Sequence, residues 1–264
     1  MRQNRTYIND FVESMTGHIV LDRPEVHNAF NIEMIREIAD AVGSFNEDDR
    51  VRFIVFSANG ENFSAGADLK WMKEGLHQSA EELRAESREL ALLFNLVYKS
   101  EKITIALVNG KALGGANGLV AASDFSFASG QSTFAFSEVK IGLIPATIAP
   151  YIVRKTGLQT AYEWMLTGKS IPADEAARKG LVTEVVESNR LKNRAVELTD
   201  LLKMNSPAAM QGIKKLFHNG GLEGNPDDMV ASTADLIASF RGSEEAQEGI
   251  HSFFEKRKPN WTDE

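Results

Sequence analysis

The chain of 264 residues contains no cysteine. That absence excludes disulfides, a thiolate nucleophile and any cysteine-ligated metal. Histidine is scarce as well: His18, His27, His77, His218 and His251 stand apart, with no pair at metal-ligand spacing, so no metal site is expected. No segment approaches the roughly 20 apolar residues needed to span a bilayer, and Met1 to Thr6 leads into an alternating pattern rather than an apolar targeting core. A cytoplasmic protein without a membrane partner is the expectation. The formal net charge is −8, and basic residues are scattered apart from Lys256-Arg257-Lys258, which argues against a nucleic-acid partner. Against these absences stands a hydrophobic content of 43%, enough at this length for a sizeable core in one large domain with a small appendage.

The most informative residues form two small-residue stretches. The first is Phe63-Ser64-Ala65-Gly66-Ala67-Asp68-Leu69-Lys70-Trp71-Met72; the second is Asn109-Gly110-Lys111-Ala112-Leu113-Gly114-Gly115-Ala116-Asn117-Gly118. Both fall where an apolar strand pattern hands over to a helical one. Loops of this kind offer bare main-chain N–H groups to an anionic oxygen. Ala67 and Gly115 are the expected donors, because small residues in tight turns let a ligand approach the backbone. A two-donor pocket stabilises an enolate or an oxyanion. A dinucleotide site is a poorer reading, since Gly114-Gly115-Ala116-Asn117-Gly118 lacks the Gly-x-Gly-x-x-Gly spacing. A serine hydrolase fails too: its nucleophile motif around Ser64 needs glycine at position 62, which is Asn62.

Periodicity predicts an α/β body. Tyr7 to Glu13 and His18 to Asp22 read as a hairpin about Met15-Thr16-Gly17. Asn31 is placed to cap a helix whose stripe is Met34, Ile35, Ile38, Val42 and Phe45. Phe53 to Phe56 and Ile103 to Val108 read as buried strands, Ser79-x-x-Glu82 as a capping box opening a helix to about Tyr98, and Asp124 to Ala128 and Thr133 to Phe136 as further strands. From Leu158 the chain reads as helices over 158–167, 173–179, 191–204, 207–217, 229–239 and 243–256.

Six segments resemble the enoyl-CoA hydratase/isomerase family, also called the crotonase family, in the family's order and over nearly the whole length. Besides the two loops they are Arg23 to Asn31, Ser137-Glu138-Val139-Lys140-Ile141-Gly142-Leu143-Ile144-Pro145, Ala173 to Val182, and the tail Phe253 to Lys258. The resemblance implies a crotonase-like spiral of strand-strand-helix turns over 1–200 and a helical trimerisation region over 201–264, assembled as a homotrimer or homohexamer. It implies an acyl-CoA thioester substrate and no cofactor beyond the coenzyme A of that substrate. The thioester oxygen would take the N–H groups of Ala67 and Gly115; Ala65, Ala67, Asp68, Leu69, Lys70, Gly114, Gly115 and Gly118 would line the acyl-CoA, and Phe253 and Lys256 would reach it, often from a neighbouring subunit.

Common hydratases of this family carry two glutamates. By motif position Glu138 is the second, and the place of the first is Gly118, which has no side chain to act as acid or base. Catalysis would therefore run through Glu138 and ordered water. Glu138 stands among Phe134, Phe136, Val139 and Ile141, and closure of these over it would favour its protonated form. The loss of one glutamate resembles Δ3,Δ2-enoyl-CoA isomerases, and also hydratases of the 3-methylglutaconyl-CoA type, to which Gly115 to Val120 and Pro145 to Tyr151 are similar. A 2-enoyl-CoA hydratase is the expectation, with the isomerase and a non-catalytic acyl-CoA-binding protein as alternatives.

Overall fold

A computed structural model describes residues 5–218 and 225–262; Met1 to Asn4 of the expected lead-in lie outside the described residues. Contacts divide the chain into two units, Met1–Ala195 and Val196–Glu264.

The first unit opens with the antiparallel hairpin β1 (Ile8–Glu13) and β2 (Thr16–Leu21). Its turn is tighter than the sequence suggests. Ser14 and Met15 adopt φ of 47° and 63°, so the loop has two residues and Thr16 already pairs with Glu13. Gly17 serves packing instead of the turn: a Cβ there would lie 2.5 Å from the ring of Phe45. That ring closes the stripe of α1 (Ile32–Glu47), in which Met34, Ile35, Ile38, Ala41 and Val42 are also buried. Asn31 caps the helix, accepting from the Met34 N–H at 2.9 Å.

Seven further described strands extend the first sheet or form a second. β3 (Phe53–Ala58) pairs in parallel with β2, and β4 (Ile103–Val108), buried along its whole length, pairs in parallel with β3. Between them lie α2 (Leu69–Gly75) and α3 (Ala80–Lys99), the latter opened by the Ser79/Glu82 capping box. The chain then steps to β5 (Lys111–Leu113) in a second sheet, turns through α4 (Ala116–Ala122), returns to the first sheet as β6 (Phe125–Ser129) and steps again to the second as β7 (Thr133–Ala135). A 3-10 turn over Ser137–Ile141 follows, then α5 (Ala149–Thr156), α6 (Leu158–Thr167), β8 (Ile171–Pro172), α7 (Ala173–Arg178) and β9 (Glu184–Val186). The strand order is β1-β2-β3-β4-β6-β9 in one sheet and β5-β7-β8 in the other. The circuits that begin with β4 and β6 each place one strand in each sheet before the next helix. The buried runs of β3 and β4 are covered on both sides, which is why their sequences run apolar with little alternation.

The sequence pattern gives no helix signal over α5. Pro150 lies in its first turn, where a proline loses no intrahelical bond. α8 (Leu191–Lys203) carries the chain across the unit boundary at 195/196. The second unit continues with α9 (Pro207–His218), α10 (Pro226–Arg241) and α11 (Glu244–Glu255). Gly212 lets α9 approach Phe240 of α10, since a Cβ would meet that ring at 2.2 Å. Trp261 anchors the tail by donating to the Met204 carbonyl at 3.2 Å. No described helix is long and apolar enough to cross a membrane.

Burial separates what holds α1 in place. Ile38 is fully buried, so Ile38→Ala is expected to cost about 2–5 kcal/mol of stability, against about 1 kcal/mol for Asn31→Ala, which removes only a cap. Urea unfolding of both variants measures the difference.

Candidate active site

The first loop is held by a network around Arg23 and Asn28. Asn28, itself left-handed with φ 55°, accepts from the Arg23 N–H and donates to the carbonyls of Asn59 and Asn62. Arg23 donates to the Ala29 carbonyl at 2.6 Å and to the Asp68 carboxylate at 2.9 Å, a pair in which both side chains are mostly buried. Asp68 in turn caps α2 through the Lys70 N–H at 2.8 Å. Burial by itself would raise the Asp68 pKa; the N–H groups of Lys70 and Trp71 and the Arg23 guanidinium outweigh it and hold the carboxyl below its ordinary value.

This network aims Ala67. Phe30 N–H donates to the Gly66 carbonyl at 2.7 Å, and Asp68 N–H donates to the Phe30 carbonyl at 2.8 Å. These two bonds make a parallel bridge between Phe30 and Ala67. In such a bridge the middle residue turns its own N–H to the opposite side. Among the described residues the Ala67 N–H has no acceptor.

The second loop lies directly against the first. Ser64 N–H donates to the Lys111 carbonyl and Leu113 N–H to the Ser64 carbonyl, each at 3.0 Å. Gly66, with φ +88°, brings its Cα so close that a Cβ would sit 2.8 Å from the Leu113 oxygen. Gly114, with φ +50°, donates to the Ala135 carbonyl at 2.9 Å. The next residue, Gly115, has a second N–H without an acceptor among the described residues, and the position its Cβ would take is open within 4 Å.

Glu138 completes the arrangement. It stands in the 3-10 turn after β7, and its Oε1 comes within 3.0 Å of the Cβ position of Gly114. Any side chain at 114 would displace the carboxylate. Oε2 is buried without a partner. Burial pushes the Glu138 pKa above its ordinary value. The shielding comes in part from elsewhere than expected: Phe134 and Phe136 are buried, but Val139 and Ile141 are exposed and do not close over the carboxylate. A cradle of two unpartnered main-chain donors beside a partly desolvated carboxylate can stabilise negative charge on an oxygen while one group moves a proton.

Gly118 differs from expectation. Its absent side chain leaves no room for substrate or for a restored glutamate, because a Cβ would strike Phe94 at 2.5 Å and Ile148 at 2.7 Å. Phe94 is fully buried and its ring packs edge-on to Tyr151 at 6.4 Å. The sequence gives no sign of this, because Phe94 reads only as one of the apolar face of α3. Of the other expected substrate contacts, Ala65 donates its N–H to the His27 carbonyl, Leu69 is 82% exposed, and Lys70 is exposed with its ammonium 3.8 Å from Glu74. Phe253 and Lys256 belong to the second unit; Phe253 is exposed, and Lys256 ends α11 with φ 56°.

The model of the enoyl-CoA hydratase/isomerase family matches residues 13–264. A putative enoyl-CoA hydratase of Thermus thermophilus is 33% identical over 95% of this chain and 100% of its own length. A short-chain-enoyl-CoA hydratase of Clostridium acetobutylicum is 31% identical over 93% and 94% respectively. The crystal structure of an enoyl-CoA hydratase from Shewanella pealeana superposes with a TM-score of 0.94 at 37% identity, covering 98% of this chain and 97% of that one.

The packing at Gly118 gives a direct expectation. Gly118→Glu buries a carboxylate against Phe94 and Ile148, so it is expected to lower the melting temperature and the soluble yield without raising activity. Thermal unfolding together with an enoyl-CoA turnover assay checks it, and a stable variant with raised turnover contradicts the packing described.

Proposed function

The chain belongs to the enoyl-CoA hydratase/isomerase family, and from that premise we propose that it is a lyase adding water to a 2-enoyl-CoA thioester, with Glu138 as its single acid/base and Ala67 and Gly115 as its oxyanion donors. The observation that carries this reading is the pair of unpartnered N–H groups, on adjoining loops, beside a carboxylate whose Oε2 is itself buried without a partner. The thioester oxygen would occupy the space between the two donors. Water attacks the third carbon of the acyl chain as ionised Glu138 takes its proton; the carbon–carbon π electrons move to the thioester, giving an enolate whose oxygen the donors hold. The second carbon then takes the proton back from Glu138. Each donor is worth about 2.7 to 4 kcal/mol in such a state.

Within this class a branched, 3-methylglutaconyl-like acyl group is the finer reading. Its support is the likeness of Gly115 to Val120 and Pro145 to Tyr151 to that group of single-glutamate hydratases. A second reading, Δ3,Δ2-enoyl-CoA isomerase, is favoured by one observation: Phe94 and Ile148 fill the place of the first glutamate, so no second group stands there to activate water. In the isomerase Glu138 would take a proton from the second carbon and return it at the fourth. Incubation with 2-enoyl and 3-enoyl thioesters, straight and branched, separates the readings by water addition against double-bond migration. Turnover of neither would leave an acyl-CoA-binding protein. A homotrimer or homohexamer accompanies the proposal, with Phe253 and Lys256 as coenzyme A contacts; Lys256→Ala is then expected to raise KM by an amount that shrinks with added salt.

Glu138→Gln is expected to lower kcat by orders of magnitude with KM little changed, because the amide keeps the volume but accepts no proton. The sign of the pH effects follows from the raised pKa. The ionised base is lost as pH falls through that value, so the acid limb of kcat/KM should lie above the ordinary glutamate range of about 4.3. Burial disfavours the ionised folded state, so Glu138→Gln should be at least as stable as the parent at neutral pH. Rate profiles and thermal melts over pH measure both; an acid limb at or below about 4.3 contradicts the role given to Glu138.

A further inference from the structure

Building on the roles given above to Gly115 and Glu138, we propose that Asn117 is a positioning residue that fixes the Gly115 donor and the Glu138 carboxylate relative to each other. Asn117 is fully buried at the start of α4. Its Nδ2 donates to the Gly114 carbonyl at 3.1 Å and to the Ala135 carbonyl at 3.0 Å. Two carbonyl acceptors on one side fix which end of the amide is the donor.

Both carbonyls belong to the catalytic frame. The Gly114 oxygen also accepts from the Asn117 N–H at 3.0 Å, and the Ala135 oxygen also accepts from the Gly114 N–H at 2.9 Å. The side chain therefore ties the turn that presents Gly115 to the last residue of β7. From Ala135 the chain passes through Phe136 and Ser137 to Glu138, and the Glu138 Oε1 returns to within 3.0 Å of the Cβ position of Gly114. The path closes on itself. Glu138 follows Ala135 by three residues, so a shift of Ala135 against Gly114 moves the carboxylate against the donor.

The other end of the amide shows that stability does not account for this residue. Oδ1 is buried and has no partner. A buried carbonyl left unpaired is unfavourable, and removing the amide strands no new group, because the Gly114 and Ala135 carbonyls each keep a main-chain donor. Asparagine here holds two carbonyls in register at the cost of one unsatisfied oxygen.

Asn117→Leu keeps the approximate volume and removes both donors. The expected result is a kcat lowered by about tenfold or more, a KM for the enoyl-CoA thioester within about threefold, and a melting temperature equal to or above that of the parent. A positioning role shows in that split; a merely structural one lowers the melting temperature and leaves kcat per folded molecule alone. A folded leucine variant with kcat within about threefold of the parent overturns the proposal. Asn117→Asp, read by the same criteria, decides the matter if the leucine variant does not fold, and its protonated carboxyl, able to donate one bond, should recover part of the rate toward acid pH relative to the parent's own profile. Glu138→Gln is measured alongside. A fully active Glu138→Gln refutes the reading of the site on which this rests, whereas an inactive Glu138→Gln beside a normal Asn117→Leu refutes the positioning role alone.

Discussion

The chemistry of this chain depends on two loops lying edge to edge. The bonds between Ser64 and the Lys111–Leu113 strand are ordinary sheet bonds, but they join the ends of two successive circuits of the fold. Once they form, Gly66 is pressed against Leu113 and Gly114, and the next residue on each loop is left with an N–H that points away from the bonded edge. The donors are what remains of the pairing pattern after the neighbouring positions are satisfied. The donors are main-chain groups, and the side chains of Arg23 and Asn28 on one loop and of Asn117 on the other brace the backbone that presents them.

Charge enters the site sparingly. Arg23 and Asp68 neutralise each other beneath the first loop, where their bonds serve to hold Ala29, Phe30 and the start of α2 in place. Glu138 is the exception: its Oε2 has no partner, and burial alone raises its pKa. A paired carboxylate is stabilised in its ionised form and is a poor acid; an unpaired, partly buried one gives and takes a proton more readily. Asp68, paired with Arg23, is held below its ordinary value, and Glu138, with a buried and unpartnered Oε2, is held above it.

Around position 118 the molecule has settled into a hydrocarbon contact. Phe94 comes from α3 and Ile148 from the start of α5, and together they close on α4 at Gly118, with Tyr151 of α5 packed edge-on to the Phe94 ring. A glycine there permits close approach of the Phe94 ring, which is a packing consequence of losing the side chain. The single carboxylate is therefore not a gap awaiting repair.

Local pattern determined a great deal. The Ser79/Glu82 capping box, the Asn31 cap, the α1 stripe and the buried runs of β3 and β4 all depend on bonds and periodicities that close within a few residues, and each could be read from the order of residue types. Ala67 and Gly115 stood out as candidate donors because small residues at a strand's end announce themselves in one dimension, whereas Glu138 was singled out by the family resemblance. The hairpin register was not, because it turned on Ser14 and Met15 accepting left-handed backbone. The part played by Gly17 was hidden as well, being set by a ring in a helix about thirty residues away. Asn117 and Phe94 belong to the same group: what they do is defined by partners on β7, on the Gly114 turn and at Gly118, and contacts between distant segments leave no trace in local composition. Sequence by itself determined the kinds of groups available and the elements that carry them; only the tertiary structure decided which of those groups face one another, because that depends on how successive circuits of the two sheets stack.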